Sequence, residues 1–188
     1  MSFTVAIVGR PNVGKSTLFN RLVGERQAIV DDMSGVTRDR QYGSTEWNGK
    51  PFNVIDTGGF VLHSEDVFEK AIRAQVNIAI EEASLILFMV DVTTGITDLD
   101  DELVNKLRKI QKKVFLVVNK VDNNSRLMQA AEFYSTGLQH IFFLSSINGS
   151  GTGELLDAVA EFIPDEEEGN NEAEILPKFA IVGQPNVG

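Results

Sequence analysis

Short apolar runs alternate along this chain with longer stretches in which apolar and polar positions recur at helical spacing. Apolar runs bounded by polar or Gly-containing segments predict strands, and the amphipathic stretches between them predict helices. The predicted strands are Thr4–Val8, Gly43–Trp47, Phe52–Ile55, Leu85–Val90, Val114–Val118 and Ile141–Leu144. The predicted helices are Lys15–Val23, Glu65–Glu82, Asp98–Ile110, Ser125–Tyr134 and Thr152–Phe162. This alternation predicts an α/β fold with helices on both faces of a mostly parallel six-stranded sheet.

One connection differs from the others. Asn48-Gly49 separates two strand-like runs by only two residues, which is the strongest short signal for a hairpin turn. A hairpin joins antiparallel strands, whereas parallel strands need a long crossover. We therefore expect one antiparallel edge strand in the otherwise parallel sheet.

Composition narrows the class of protein. The chain has 188 residues, of which 43% are hydrophobic, enough for one domain with a proper core. No uncharged apolar stretch is long enough to span a membrane, and the N-terminus lacks the pattern of a secretory signal. Cysteine is absent, so disulfides and thiolate metal sites are excluded. Together these features favour a cytoplasmic protein without membrane contact.

The negative charge is concentrated in one segment. The formal net charge is −10, and the stretch 165–174 alone contains six acidic residues and no basic one. That stretch has little apolar content, so we interpret 164–176 as an acidic linker that follows a domain over 1–163. A net negative domain is poorly suited to gripping nucleic acid by itself, because phosphate contacts need Lys and Arg.

An internal repeat follows the predicted linker. Residues 179–188 read FAIVGQPNVG, and residues 5–14 read VAIVGRPNVG, with eight of ten positions identical. We interpret 177–188 as the truncated start of a second nucleotide-binding domain. Because the repeat lacks the lysine and hydroxyl that follow the first copy, we expect it to be inactive in this chain.

The first copy belongs to a phosphate-binding loop. The pattern G-x-x-x-x-G-K-[ST] lies between a predicted strand and a predicted helix, which is the context that the motif requires. Its glycines let backbone N–H groups surround phosphate oxygens at a helix N-terminus. We expect Lys15 to contact the β- and γ-phosphates and Ser16 to coordinate Mg²⁺. The predicted loop residues are Gly9, Arg10, Pro11, Asn12, Val13, Gly14, Lys15, Ser16 and Thr17.

A second motif, D-x-x-G, directly follows the predicted strand Phe52–Ile55. Asp56 at the strand end can reach a Mg²⁺ ion held by Ser16, and Gly59 can donate its backbone N–H to a γ-phosphate. Thr37, in the polar stretch 24–40, is the candidate hydroxyl that joins the metal only when GTP is bound. Loss of the γ-phosphate would then release both segments as a switch. The predicted residues of this motif are Asp56, Thr57, Gly58, Gly59 and Phe60.

A third motif selects the base. The Asp122 carboxylate can accept hydrogen bonds from guanine N1–H and the 2-amino group, which adenine lacks. The stem of Lys120 can cover one face of the base, and the amide of Asn119 can tie this loop to the phosphate loop. Backbone N–H groups after the last strand would face guanine O6. The predicted residues are Asn119, Lys120, Val121, Asp122, Ser145, Ser146 and Ile147.

These motifs, in this order, resemble those of the translation-factor-like bacterial GTPases: GRPNVGKS, the threonine of GVTRD, DTGG and NKVD, over residues 1–163. The second P-N-V-G loop after an acidic segment is similar to the Der (EngA) family of tandem GTPases. The resemblance implies a Ras-like P-loop GTPase fold and a role in large ribosomal subunit assembly. It also implies the ribosome and a second GTPase domain in cis as partners. Ser146 departs from the family pattern, in which alanine is common.

The resemblance also bears on hydrolysis. Phe60 stands where Ras-like enzymes have a glutamine that orients water, so water must be positioned otherwise. Asn12 matches the position that helps to hold K⁺ in related GTPases, so we expect slow, K⁺-stimulated hydrolysis with Lys15, Thr37, Gly59 and Asn12 as catalytic residues. Ser16, Thr37, Asp56 and Asn12 are then the metal-binding residues. A cis arginine finger, from Arg10 or Arg38, is the rival; we favour both being solvated.

Two other functions stay open on the sequence alone. A GTPase domain that assists tRNA modification is one, although the repeat favours ribosome assembly. A module that senses GTP or GDP with little hydrolysis is the other. Phe60 is compatible with this function because it cannot orient water as a glutamine does.

Overall fold

The positions of the strands and helices come from a computed structural model, which describes residues 2–24, 41–58, 74, 77–79 and 81–164. The strands are β1 (Thr4–Val8), β2 (Gln41–Trp47), β3 (Lys50–Asp56), β4 (Leu85–Asp91), β5 (Lys113–Asn119) and β6 (His140–Phe143). The helices are α1 (Lys15–Val23), α2 (Asp98–Leu107), α3 (Asn124–Gln129) and α4 (Thr152–Phe162), and a 3₁₀-helix covers Ala130–Thr136.

The six strands form one sheet in the order β2-β3-β1-β4-β5-β6. All neighbouring pairs are parallel except β2 with β3, so the predicted sheet and its antiparallel edge strand are confirmed. Trp47 pairs with Lys50 across the two-residue turn. Asn48 and Gly49 have φ values of 51° and 77°, which are the positive angles that a tight hairpin turn requires.

Alternate residues of each central strand serve two separate cores. In β1, Val5 and Ile7 pack on the face covered by α1 and α4. Ala6 and Val8 pack on the opposite face, against α2 and the 3₁₀-helix. Because both faces are covered, β4 is buried along its whole length, as parallel strands between two helical layers are.

Several predicted boundaries move by one to three residues. Helix α2 ends at Leu107 rather than at residue 110, and its start is fixed by a capping box between Thr97 and Asp100. The predicted helix Ser125–Tyr134 is wrong as a single element, because the chain tightens into a 3₁₀-helix at Ala130 and ends at Gly137 in the left-handed conformation.

Some predictions fall largely or wholly outside the described residues. Of the predicted helix Glu65–Glu82, residues 74, 77–79, 81 and 82 are described, and all of them are helical. The remainder of that helix, the linker after residue 164 and the second phosphate loop lie outside the described residues. Among the helices that are described, none has the length and apolar character to cross a membrane.

Candidate nucleotide-binding site

The predicted site residues that the structure describes lie at the carboxyl ends of adjacent parallel strands of the sheet. The strand order places the end of β1 between those of β3 and β4, with β5 next to β4. Asp56, Asp91 and Asn119 are the last residues of β3, β4 and β5. Ligands of open α/β sheets bind at the carboxyl ends of the strands, so the topology assembles these side chains where a ligand is expected.

The phosphate loop between β1 and α1 is tightly fitted to its neighbours. A Cβ at Gly9 would lie 2.3 Å from the backbone oxygen of Met89. A Cβ at Gly14, whose φ is 102°, would lie 2.3 Å from Nδ2 of Asn119. Both positions therefore require glycine, which explains the spacing of the two motif glycines.

Lys15 is held inside this loop. Only 5% of the residue is exposed, and its Nζ donates hydrogen bonds of 2.9 Å to the backbone oxygens of Gly9 and Arg10. Burial lowers the pKa of Lys15 from 10.5 to about 8, although the negative charge of Asp56 acts in the opposite direction. A weakly hydrated ammonium in a loop of backbone N–H groups attracts an anion strongly.

The two predicted magnesium ligands on described residues are in direct contact. The Ser16 hydroxyl donates to Oδ2 of Asp56 at 2.7 Å, and the backbone N–H of Gly58 donates to Oδ1 at 2.9 Å. Asp56 is 3% exposed. A hydroxyl and a carboxylate oxygen from two elements form the oxygen donor set that Mg²⁺ prefers, with its other positions left to phosphate and water. The residues therefore fit the predicted ion.

Asn119 connects the base motif to two other loops. Its side-chain Nδ2 donates to the backbone oxygen of Val13 at 2.7 Å. Its Oδ1 accepts from the backbone N and the hydroxyl of Ser146, at 2.9 and 3.0 Å. The side chain thus donates through its nitrogen and accepts through its oxygen, and it fixes the distance between the phosphate loop and the loop after β6.

Lys120 is positioned by a partner that the sequence reasoning missed. Its Nζ lies 2.5 Å from Oδ2 of Asp91, and its backbone φ is 66°. Although burial alone raises the pKa of Asp91, the hydrogen bonds from Lys120 and Thr93 hold it below its usual value. Asp91 ends β4 just as Asp56 ends β3, so its position at a strand end was a signal that could have identified it.

Asp122, the predicted guanine-binding carboxylate, already has protein donors. Nη1 of Arg126 lies 2.6 Å from its Oδ2, and Nδ2 of Asn123 lies 2.8 Å from its Oδ1. The side chain of Asp122 is 40% exposed, so it remains accessible to a ligand. Arg126 was not predicted, and only its spacing of four residues on α3 could have suggested the pair.

The loop after β6 is closed by its own backbone. The N–H of Ser145 donates to the oxygen of Ser150 at 2.9 Å, while that of Ser146 donates to Asn119. Ile147 is 78% exposed. Arg21 of α1 donates to the backbone oxygens of Ser146 and Ile147, a contact that no motif indicated.

Our preference for a solvated Arg10 is wrong. Its side chain is 15% exposed, and its Nε lies 3.2 Å from Oδ2 of Asp100, while Nη2 contacts the hydroxyl of Thr94. The guanidinium is thus turned toward α2. A buried carboxylate attracts a cation strongly, and no motif indicated that Asp100 would be 1% exposed.

The remaining predicted residues are partly described. Pro11 and Thr17 lie in the phosphate loop and in the first turn of α1, and Asn12 in the same loop has a φ of 64°. Thr57 donates its hydroxyl to the oxygen of Ile7 at 2.6 Å, and Val121 is buried and donates its backbone N–H to the oxygen of Leu144 at 3.0 Å. Thr37, Arg38, Gly59 and Phe60 lie outside the described residues. The described part of the chain contains no group of three or more His, Cys, Asp or Glu suited to a metal.

Comparison with known proteins identifies the family of this chain. Residues 4–120 match the family described as 50S ribosome-binding GTPase. GTPase Der of Christiangramia forsetii is 59% identical over 188 residues, which is 100% of this chain and 43% of that protein. The chain therefore spans less than half the length of the curated relatives that it matches.

Solved structures of GTPases have the same fold as this chain. Aquifex aeolicus Era bound to GDP.AlF4⁻ has a TM-score of 0.69 and 31% identity, covering 89% of this chain and 59% of that chain. Era in complex with MgGDPNP and a segment of 16S ribosomal RNA has a TM-score of 0.70 and 32% identity over the same shares. These similarities support GTP binding and hydrolysis, and they confirm the P-loop GTPase fold and the resemblance to the Der family of tandem GTPases. The chain belongs to the family of 50S ribosome-binding GTPases.

Proposed function

We propose that this chain binds GTP with Mg²⁺ and hydrolyses it to GDP and phosphate as a molecular switch in large ribosomal subunit assembly. The observation that carries the nucleotide part is the contact network of Asn119, which joins the phosphate loop to both base-facing loops. A ligand that satisfies this site must present phosphates to Lys15 and a purine to Asp122 at the same time.

The choice of guanine follows from hydrogen-bonding groups. A carboxylate can only accept, and guanine presents two donors, N1–H and the 2-amino group, on one edge. Adenine presents an acceptor there and would leave the lone pairs of Asp122 that face the base without a donor. Sites with such polar groups reject analogues by about 10⁴–10⁵. Arg126 and Asn123 leave further lone pairs of Asp122 available to the base.

Magnesium would be held by Ser16 and Asp56, with Thr37 joining when GTP is present. When bound, the ion neutralises charge that develops on the phosphate oxygens. Lys15 contributes a second positive charge from the protein itself. To bind the phosphates, its ammonium group must redirect N–H groups that now donate to the backbone oxygens of Gly9 and Arg10. Gly59 would donate its backbone N–H to the γ-phosphate.

Potassium is our proposal for the remaining positive charge, at Asn12. Arginine fingers accelerate phosphoryl transfer by about 10³–10⁵, but Arg10 is engaged by Asp100 and is unavailable to the phosphates in this arrangement. Asn12 lies in the same loop with its backbone in the left-handed region, which asparagine tolerates. We therefore propose slow hydrolysis that K⁺ stimulates.

The ribosomal role rests on the family and on the relatives named GTPase Der. The partners that we propose are the large ribosomal subunit, through the longer protein, and a second GTPase domain in cis. The acidic body of the chain supports an RNA contact made elsewhere in that protein. We propose the cytoplasm as its location.

Phosphate release tests the activity. We expect GTP turnover that is faster in KCl than in NaCl at equal ionic strength, and we expect Asn12→Ala to remove the difference while GDP binding persists. Equal rates in the two salts would refute the potassium proposal. GTP binding with no release in either salt would favour the sensing function that Phe60 permits.

Ribosome association needs a separate test. We expect full-length GTPase Der of Christiangramia forsetii, the relative described above, to cosediment with large ribosomal subunits in the presence of a non-hydrolysable GTP analogue. It should cosediment less in the presence of GDP. Nucleotide-independent cosedimentation would contradict a switch.

A further inference from the structure

Arg21 has no role in the motifs of the site, yet it joins the first helix to the base-facing loop. It lies on α1, six residues after Lys15, and its Nε donates to the backbone oxygen of Ser146 at 2.5 Å. Its Nη2 donates to the next backbone oxygen, that of Ile147. One guanidinium thus holds two consecutive carbonyl groups of the loop that follows β6.

The loop is shaped to receive this side chain. A Cβ at Gly149 would lie 2.7 Å from Nη1 of Arg21, and Gly149 has a φ of 86°. The N–H of Gly149 donates to the oxygen of Ser145 at 2.8 Å. The carbonyl groups of Ser145, Ser146 and Ile147 therefore all have donors within the loop or from α1.

The geometry of the peptide bond relates the carbonyl contacts of Arg21 to the N–H groups on the opposite side of the loop. In a trans peptide the C=O and the following N–H point in opposite directions. The carbonyl of Ser146 points to Arg21, so the N–H of Ile147 points away from it. The N–H of Ser146 already lies on the side of Asn119. Because that N–H is used by Asn119, the N–H that Arg21 orients for guanine O6 is that of Ile147, on the side of the loop away from α1.

We propose that Arg21 is a positioning residue for guanine, which acts by holding the carbonyl groups of Ser146 and Ile147 so that the N–H of Ile147 faces O6 of the base. This inference rests on the proposed binding of guanine nucleotides. It predicts a loss specific to ligands with a strong acceptor at position 6, because the phosphate contacts and the Asp122 contacts do not depend on Arg21.

The test compares GDP with 6-thio-GDP, which keeps N1–H and the 2-amino group but replaces O6 with a weakly accepting sulfur. In the wild-type 188-residue chain we expect GDP to bind better than 6-thio-GDP. Arg21→Met should weaken GDP about 10-fold, the magnitude of losing charge-assisted hydrogen bonds, and 6-thio-GDP by about 2-fold or less. Arg21→Lys, which can restore one of the two hydrogen bonds, should recover part of the GDP affinity.

Arg108→Met is the matched control. Arg108 also donates from its guanidinium to a backbone oxygen, that of Thr136, but it lies at the end of α2 on the other face of the sheet. We expect this variant to bind both nucleotides as the wild type does. Thermal unfolding of each variant identifies any that fails to fold.

The outcomes separate the two proposals. If the wild type does not prefer GDP to ADP, the proposed function fails. If it does, but Arg21→Met leaves GDP affinity unchanged or weakens GDP and 6-thio-GDP by the same factor, the assignment of Arg21 is overturned.

Discussion

The side-chain amide of Asn119 donates to the backbone oxygen of Val13 at 2.7 Å, across a separation of 106 residues. The same amide accepts from Ser146, so one buried side chain sets the distance between the phosphate end and the base end of the site. A nucleotide is a rigid enough ligand that both ends must be correctly spaced.

We expect Asn119→Ala to weaken GDP and GTP by at least about 10-fold and to destabilise the fold by about 1–3 kcal/mol, because it leaves the Val13 oxygen and Ser146 N–H buried without partners. Calorimetric titration and thermal unfolding measure the two effects. Asn53→Ala removes an amide from β3, where the strand pairs with β2, and serves as the control. This variant should retain the affinity for GDP and GTP. Equal affinity in the two variants would contradict the bridging role.

Gly14 and Gly24 both have positive φ values, but only at Gly14 would an added Cβ collide with another side chain. Gly14→Ala places a Cβ 2.3 Å from the Asn119 amide in addition to a φ of 102°, whereas Gly24, with a φ of 68°, has nothing within 4 Å. Gly24→Ala should cost only about 1 kcal/mol of stability and leave nucleotide affinity intact. Gly14→Ala should abolish measurable GDP binding. Similar affinities of the two variants would show that the fit at Gly14 is unimportant.

Lys15 makes nucleotide binding depend on pH. Its pKa in the free protein is about 8, so it is protonated well below that pH and loses its proton above it. A bound phosphate stabilises the ammonium and raises this pKa, so binding must take up protons around and above pH 8. Affinity therefore falls as the pH rises through this range.

Titration calorimetry in buffers of different ionisation enthalpy measures that uptake. We expect it at about pH 9 and little of it at about pH 6.5. Lys15→Arg keeps a permanent positive charge, so any affinity that it retains should show no such uptake. Uptake of the same size at both pH values, or in the variant, would assign the proton to another group.

The pair between Arg10 and Asp100 predicts a stability effect. Asp100 is 1% exposed, and its Oδ2 accepts from Arg10 and from the backbone N–H and hydroxyl of Thr97. Because Arg10→Met leaves a buried carboxylate with only the cap contacts, we expect a loss of about 3 kcal/mol. Denaturant unfolding of the single and double variants, with Asp100→Leu as the second change, measures the coupling. Additive losses would show that the pair is not coupled.

The sequence was sufficient for the fold because local patterns and topology agreed. The alternation of apolar runs, the Asn48-Gly49 turn and the glycines of the phosphate loop each have one structural solution. Element ends were less predictable. The chain between Ala130 and Gly137 has helical spacing, and only its packing of Phe133 in the core and its Gly137 terminus favour a 3₁₀-helix.

The site was predictable where a motif is contiguous and not where contacts join distant elements. Lys15, Ser16 and Asp122 follow from short motifs. The partners Asp91, Asp100, Arg21 and Arg126 do not, because a lone charged residue carries no signal until the fold brings its partner close. Asp100 is one such case, because it is 1% exposed on α2 and contacts Arg10 of the phosphate loop, 90 residues away in the sequence.

The central claim is that one carboxylate selects the base, and a competition measurement tests it most directly. We expect the wild-type chain to bind GDP at least about 10³-fold better than ADP, which is less than the range of about 10⁴–10⁵ for fully buried polar sites because the side chain of Asp122 is 40% exposed. Asp122→Asn should lose that affinity for GDP and gain affinity for XDP, whose oxygen at position 2 accepts from the new amide. If the wild type bound ADP as well as GDP, or if Asp122→Asn kept the original preference, this account of base selection would be contradicted.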